Sequence, residues 1–411
     1  MRRRSRPRPL SGGQAKAKGR MDPKIERLKQ RFFQVFGDQG RHVSVTKAPG
    51  RVSLMGDHTD YSDGFGLAVN FPQEITVVAQ RRGDGMLGMY ASEVEERIQV
   101  PIHNLRYVPG DGWANYPKAV MWALETAGQK LEGLNVLIEG KIPQGSGLAS
   151  STALAAAVAL AAASVEGFQL EPSVMAKVLQ RAENQFMHVH SGILEPLCVM
   201  EAGQGNALYM DARSLDVEQI PLALDGALMV VLDSGVSRSL KTGDYAKRQE
   251  EVREALRLLK TKNATYNALR DVKVLAFERY KKVLPNMLSA RAEHVVYEND
   301  RVLKAREALL ASDAILFGEL MNKSHRSLSR LMQVSTEELD SLVGHAQADP
   351  ACLGARLTGG GFGGVAIALV KEEGLDEFLE KLKRSYWQKV GGKMKSWVLD
   401  LVSPAREIEE A

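Results

Sequence analysis

Apolar residues three and four positions apart (Ile25, Leu28, Phe32, Phe33, Phe36) predict a helix over Met21–Phe36, closed by Gly37. From His42 to about Pro101 the pattern shifts to short β-like runs between turns, such as Ile75-Thr76-Val77-Val78-Ala79. Helical spacing returns over Trp113–Ala127, and Leu134–Glu139 reads as a strand. A Gly/Ser loop then opens onto an Ala/Leu/Val helix from about Ser151 to Val165, with another helix over roughly Glu171–Phe186. Strand-like runs at Asn206–Met210 and Gly226–Leu232 precede charged amphipathic helical runs, Tyr245–Leu259 and Ala290–Ala346, with few turn signals. Gly354 begins a glycine-rich loop that leads into the apolar run Val365–Val370. No internal repeat is visible, and the pattern predicts α+β structure in both halves.

A chain of 411 residues exceeds what one hydrophobic core normally supports, so two domains are expected, 21–215 and 216–411. Residues 1–20 form a basic tail with eight Arg or Lys and no acid, and too few apolar residues to fold. Met21 is the expected start of the folded protein, with the tail an upstream extension. Without the tail the chain is close to neutral or slightly acidic, which argues against a nucleic-acid partner. Cys198 and Cys352 supply neither a disulfide framework nor zinc spacing, and fit a reducing cytoplasm. The small-residue apolar run Thr152–Ala163 is too short to cross a membrane.

Chemistry concentrates in four segments. Within Lys47–Tyr61, the eleven residues Arg51–Tyr61 pack a cation, two carboxylates, an imidazole and a phenol into a Gly-punctuated loop after a β-like run. Such a mix suits a polyhydroxylated ligand, since each hydroxyl wants a fixed donor or acceptor. Pro143–Leu154 is a Gly/Ser loop opening onto a helix, suited to an anion because the first helical N–H groups are unpaired. It lacks the lysine of a Walker loop, and a plain serine N-cap after a turn is an equal alternative. Thr358–Gly364 holds five glycines in seven residues, an entropic cost that implies a close approach or a tightly packed loop. Glu183 and Glu195 flank 184–194; by itself Glu183 reads as a solvated surface acid. His188 and His190 have no third ligand nearby and read as packed or solvent-facing.

Gly50-Arg51-Val52-Ser53-Leu54-Met55-Gly56-Asp57-His58-Thr59-Asp60-Tyr61 resembles the sugar signature of galactokinases, members of the GHMP kinase superfamily, with Ser53 for Asn and Asp57 for Glu. The 143–154 loop resembles the second superfamily motif, and Thr358–Gly364 the third. Ala182-Glu183 and Ser191-Gly192-Ile193-Leu194-Glu195 resemble the segment carrying the metal carboxylate and the catalytic base. There Glu195 stands for Asp, and Pro196 for Gln.

The resemblance implies an ATP- and Mg2+-dependent sugar 1-kinase with the two-domain GHMP kinase fold and its active site in the cleft between domains. It implies that Arg51 stabilises the transferring phosphoryl group and that Glu195 is the base. Asp57, His58, Asp60, Gly192 and Tyr245 would bind the sugar. Gly145, Ser146, Gly147, Leu148, Ser150 and Ser151 would cradle phosphates, with Trp113 at the adenine; Ser151 and Glu183 would hold magnesium. A base one methylene longer implies a working but altered enzyme. Galactose leads as substrate, with a related hexose or aminohexose, or a non-catalytic sugar and ATP sensor, as alternatives. A sugar acid is disfavoured by repulsion from Asp57. The expected protein is a cytoplasmic monomer whose partners are a small sugar and ATP, with no membrane.

Overall fold

The computed structural model describes residues 22–140, 142–143, 145–236, 244–392 and 394–408. The basic tail, Met21, Gln144 and Gly243 lie outside the described residues.

Helix α1 (Pro23–Phe36) is capped by Asp22, whose carboxylate accepts from the Lys24 N–H at 2.9 Å. Two long strands follow, β1 (Val43–Met55) and β2 (Phe65–Arg81). They outrun the short β-like segments expected, because Pro72 falls at a bulge opposite Pro49/Gly50, where no ladder donor is needed. The chain continues through β3 (Met86–Ala91), β4 (Glu96–Pro101), α2 (Asn115–Thr126), β5 (Leu134–Gly140), α3 (Ser150–Glu166), α4 (Pro172–Arg181) and α5 (Leu194–Glu201). Then come β6 (Asn206–Asp211), β7 (Val217–Pro221) and β8 (Ala227–Asp233). The remainder is α6 (Asp244–Leu259), α7 (Val274–Tyr280), α8 (Asn286–Leu310), α9 (Ala314–Ser327), α10 (Glu337–Gln347), β9 (Cys352–Leu357), β10 (Val365–Lys371), α11 (Leu375–Val390), β11 (Lys395–Val398) and β12 (Arg406–Glu407).

The large sheet runs β12-β1-β2-β5-β3-β4, with β6 pairing the start of β2 and β7 pairing β6. The small sheet is β11-β8-β10-β9. Helix α3 is buried on nearly every side, as its all-round apolar sequence requires, and packs over β1 and β2. One apolar core joins both sheets, since Met229, Val231, Ile367 and Leu369 cluster with the β1, β2 and α3 residues.

Around the expected division at 215/216, β7 belongs to the large sheet, the chain enters the small sheet at β8, and β12 returns to β1. Two sequence expectations change, the uninterrupted helical run and the position of Gly354. The run Ala290–Ala346 is broken by caps that its charged pattern hid. Asp313 accepts from Leu316 N at 2.9 Å, and Thr336 from Leu339 N at 3.3 Å. Gly354 lies inside β9 rather than in a loop, because a Cβ there would overlap the Gly318 backbone of α9.

Candidate active site

The hairpin connection between β1 and β2 carries the 56–64 loop. Thr59 Oγ1 donates back to Gly56 O at 2.8 Å, and Gly64 N donates to Thr59 O at 2.9 Å. This fold presents Asp57, His58 and Asp60 to a cavity of about 200 Å³. Its wall brings together Arg51, Asp57, His58, Asp60, Ser151, Glu183, Gly192, Glu195 and Tyr245. Nine residues predicted from four distant segments therefore face one space. Gly359 and Gly360 of the third glycine loop close it.

Arg51, on β1, ion-pairs with Glu195 in the first turn of α5. The Arg51 side chain is only 6% exposed and that of Glu195 28%, so the carboxylate is the partner that reaches solvent. Burial lowers the Arg51 pKa, but Glu195 and Asp57 outweigh it and raise it above the ordinary value. Its buried Nε has no hydrogen-bond partner, a donor left over inside the site.

Asp60 accepts from the Tyr61 N–H at 3.0 Å. Loss of water raises its carboxyl to about 6, with the Tyr61 bond opposing and Glu195 adding to the rise. A Cβ on Gly192 would overlap Asp60 Oδ2, so only glycine fits at that approach. The loop before Gly192 is held by Asn184, whose Oδ1 accepts from Ser191 N at 2.7 Å. His58, at φ 63°, pairs Nδ1 with the Tyr61 hydroxyl at 3.0 Å and Nε2 with Gly360 O at 3.1 Å. Tyr245 opens α6 and packs its ring 5.1 Å from His58 and 5.8 Å from Tyr61.

Gly145 and Gly147 take positive φ, and Ser146 Oγ donates to Pro143 O at 2.7 Å. Leu148 O accepts from Arg51 N at 3.0 Å, tying this loop to the arginine. The serine N-cap alternative fails: the cap is Ala149, left-handed at φ 57°, and no side chain caps α3. The N–H groups of its first turn are thus left for an anion beside Ser151. Gly145, Ser146, Gly147, Leu148 and Ser150 do not line the cavity itself. Neither does Trp113, which is half-buried and gives its Nε1–H to Glu96 at 2.8 Å.

Glu183 is not a surface acid. The last turn of α4 widens into a π-turn, Ala182–Phe186, that rotates Glu183 inward until it is 5% exposed. Burial raises its pKa and Glu195 adds to this, against hydrogen bonds from Ser191, Ser151 and Thr152. A buried carboxylate beside a hydroxyl and a helix N-terminus suits a hard cation shared with phosphate oxygens, which needs few protein ligands. Among the described residues no cluster of three or more His, Cys, Asp or Glu could hold a metal unaided. His190 lines the cavity and His188 stacks edge-on near Tyr107 at 6.4 Å.

Sequence reasoning missed Tyr116 and Arg356. Tyr116 lines the cavity and shares a hydrogen bond with Ser151. Arg356 is wholly buried in β9 and ion-pairs with Asp57. The signal was an arginine between apolar neighbours, obscured by reading 354–357 as loop.

Three family models match: "Galactokinase galactose-binding signature" over 30–81, "GHMP kinases N terminal domain" over 115–201 and "GHMP kinases C terminal" over 305–389. The chain is 36% identical to a galactokinase of Enterococcus faecalis, over 89% of this chain and 95% of that one. It is 38% identical to one from Roseiflexus sp. strain RS-1, over 89% and 92%. The crystal structure of Lactococcus lactis galactokinase complexed with galactose superposes with a TM-score of 0.90 at 31% identity, covering 94% of this chain and all of that one. A mevalonate kinase shares the fold alone, at 20% identity and a TM-score of 0.63.

Proposed function

The chain belongs to the galactokinase family of GHMP kinases, and from that premise we propose that it transfers the γ-phosphoryl group of ATP to the anomeric hydroxyl of galactose. The observation that supports this most is the meeting, in one cavity, of Asp57 and Asp60 with the Arg51–Glu195 pair and Ser151.

In this reading Asp57, His58, Asp60 and Tyr245 fix the sugar ring, and Gly192 gives Asp60 its room. Glu195 takes the proton of the anomeric hydroxyl, which then attacks the γ-phosphorus in line while ADP leaves. Arg51 stabilises the charge that spreads over the transferring oxygens, and its unpartnered Nε–H is a donor for one of them. Gly145, Ser146, Gly147, Leu148 and Ser150 present backbone N–H groups and hydroxyls to the phosphates. Glu183 and Ser151 would hold Mg2+, which when bound neutralises phosphate charge. Trp113, its N–H already used by Glu96, has only its ring face left for adenine. Two unpaired cysteines support a reducing, cytoplasmic setting. Among the described residues no helix is long and apolar enough to cross a membrane.

The test is turnover with ATP over galactose, N-acetylgalactosamine, galacturonate, glucose and arabinose, with Glu195→Ala and Glu195→Asp alongside. Galactose should lead the panel and lose turnover in Glu195→Ala. ATP binding without turnover of any sugar would refute the reading.

A further inference from the structure

Behind the cavity wall, Arg356 reaches from the small sheet into the hairpin loop of the large one. Its Nη1 donates to Leu54 O and its Nε to Leu357 O, each at 2.8 Å, while Nη2 meets Asp57 Oδ2. Glu298 stands 3.9 Å from Nη1 and pairs with Arg301 at 2.6 Å. Glu298 also accepts from the Gly56 N–H at 3.0 Å and from Ser324 Oγ at 2.7 Å. Burial pulls the Glu298 pKa up, but Arg301, Arg356 and His294 hold it at about 2. His294, lowered to about 4 by burial, is neutral at pH 7 and bonds the Asp57 carbonyl at 3.0 Å. Two carboxylates are thus balanced by two guanidiniums in a buried patch. Only one of the four groups, Asp57, faces the cavity.

We propose that Arg356 is a specificity-determining positioning residue: by anchoring Asp57 it fixes one wall of the cavity as a hydroxyl acceptor, so that neutral sugars are selected over sugar acids. The proposal rests on the sugar-kinase reading above and adds the residue that enforces it. With Oδ2 held by Arg356 and Ser53 also bonded to the carboxylate, Asp57 keeps lone-pair capacity to accept from a sugar hydroxyl. A substrate carboxylate would meet a like charge whose own partner is already engaged. Remove the Asp57 charge and the buried Arg356 guanidinium keeps only the more distant Glu298, 3.9 Å away, so the wall no longer repels a substrate carboxylate.

The experiment measures kcat and KM for galactose and galacturonate in wild type, Asp57→Asn, Arg356→Met and Arg356→Lys, with ATP affinity alongside. Arg356→Met should raise the galactose KM about 10- to 100-fold, with much smaller changes in kcat and ATP affinity, and Arg356→Lys should recover part of the loss. Asp57→Asn should shrink the preference for galactose over galacturonate at least tenfold, on the order of one charged hydrogen bond. A folded Arg356→Met with a galactose KM within about twofold of wild type, or an unchanged preference in Asp57→Asn, overturns the proposal. If Arg356→Met does not fold, Asp57→Asn decides alone. If wild type turns over neither sugar, the kinase reading fails, and the proposal is judged by calorimetric binding of the same two sugars to wild type and Asp57→Asn.

Discussion

The Arg51 guanidinium and the Glu195 carboxylate form a direct ion pair across 144 positions of sequence, joining the β1 strand to the first turn of α5. The pair lines one cavity together with Asp60 and with Ser151 at the start of α3. Each partner restrains the other, so catalysis and local order are coupled here.

Truncating Glu195 tests that coupling. Glu195→Ala should lower kcat by about 100- to 10,000-fold, the usual worth of a positioned base, measured by coupled ADP release. Glu195→Asp, one methylene shorter, should retain more activity than the alanine variant.

Arg51 should act mainly on the transition state. Arg51→Met is expected to lower kcat by about 100- to 1,000-fold with a smaller change in the galactose KM. A large rise in KM with kcat preserved would reassign Arg51 to ground-state binding.

Glu183 is expected to govern the metal. Glu183→Gln should raise the Mg2+ concentration for half-maximal activity by about tenfold or more, with metal-free nucleotide binding little changed. Titration of initial rates with magnesium chloride at saturating ATP reads this directly.

The buried Asp60 carboxylate opposes folding at neutral pH. Burial holds this carboxyl at about 6 instead of the ordinary 3.8. A raised folded value contributes stability that is fully present below pH 3.8 and is lost as pH rises through about 6. Asp60→Asn should therefore stabilise the protein at pH 7 by about 1–3 kcal/mol, and by much less at pH 4, while the galactose KM rises. Gly192→Ala should raise the same KM by displacing the Asp60 carboxylate. Thermal melts at the two pH values, with kinetics at pH 7, check both statements.

The sequence made the site legible where chemistry is local. The Gly50–Tyr61 segment stands out through residue types that turns do not need, whereas the 143–154 loop and the 358–364 glycines gain meaning only from their order behind it. The inward turn of Glu183 was not readable from its neighbours, because it depends on a π-turn in an otherwise ordinary helix end. Arg356 was hidden for a different reason: its partner Asp57 lies 299 positions away, and nothing in a one-dimensional pattern shows that β9 passes behind the 56–64 loop. The same holds for β7 and β12, whose place in the large sheet is set by long-range pairing and not by their own composition. Helix breaks at Asp313 and Thr336 were legible as caps, yet the surrounding charged periodicity masked them.

The most direct measurement is phosphorus NMR of the wild-type protein with ATP, Mg2+ and galactose, following the fate of the γ-phosphorus. Appearance of a sugar phosphate coupled to the anomeric proton, in step with ADP, is the predicted result. ADP with free phosphate alone, or phosphate carried on another hydroxyl, would contradict the account.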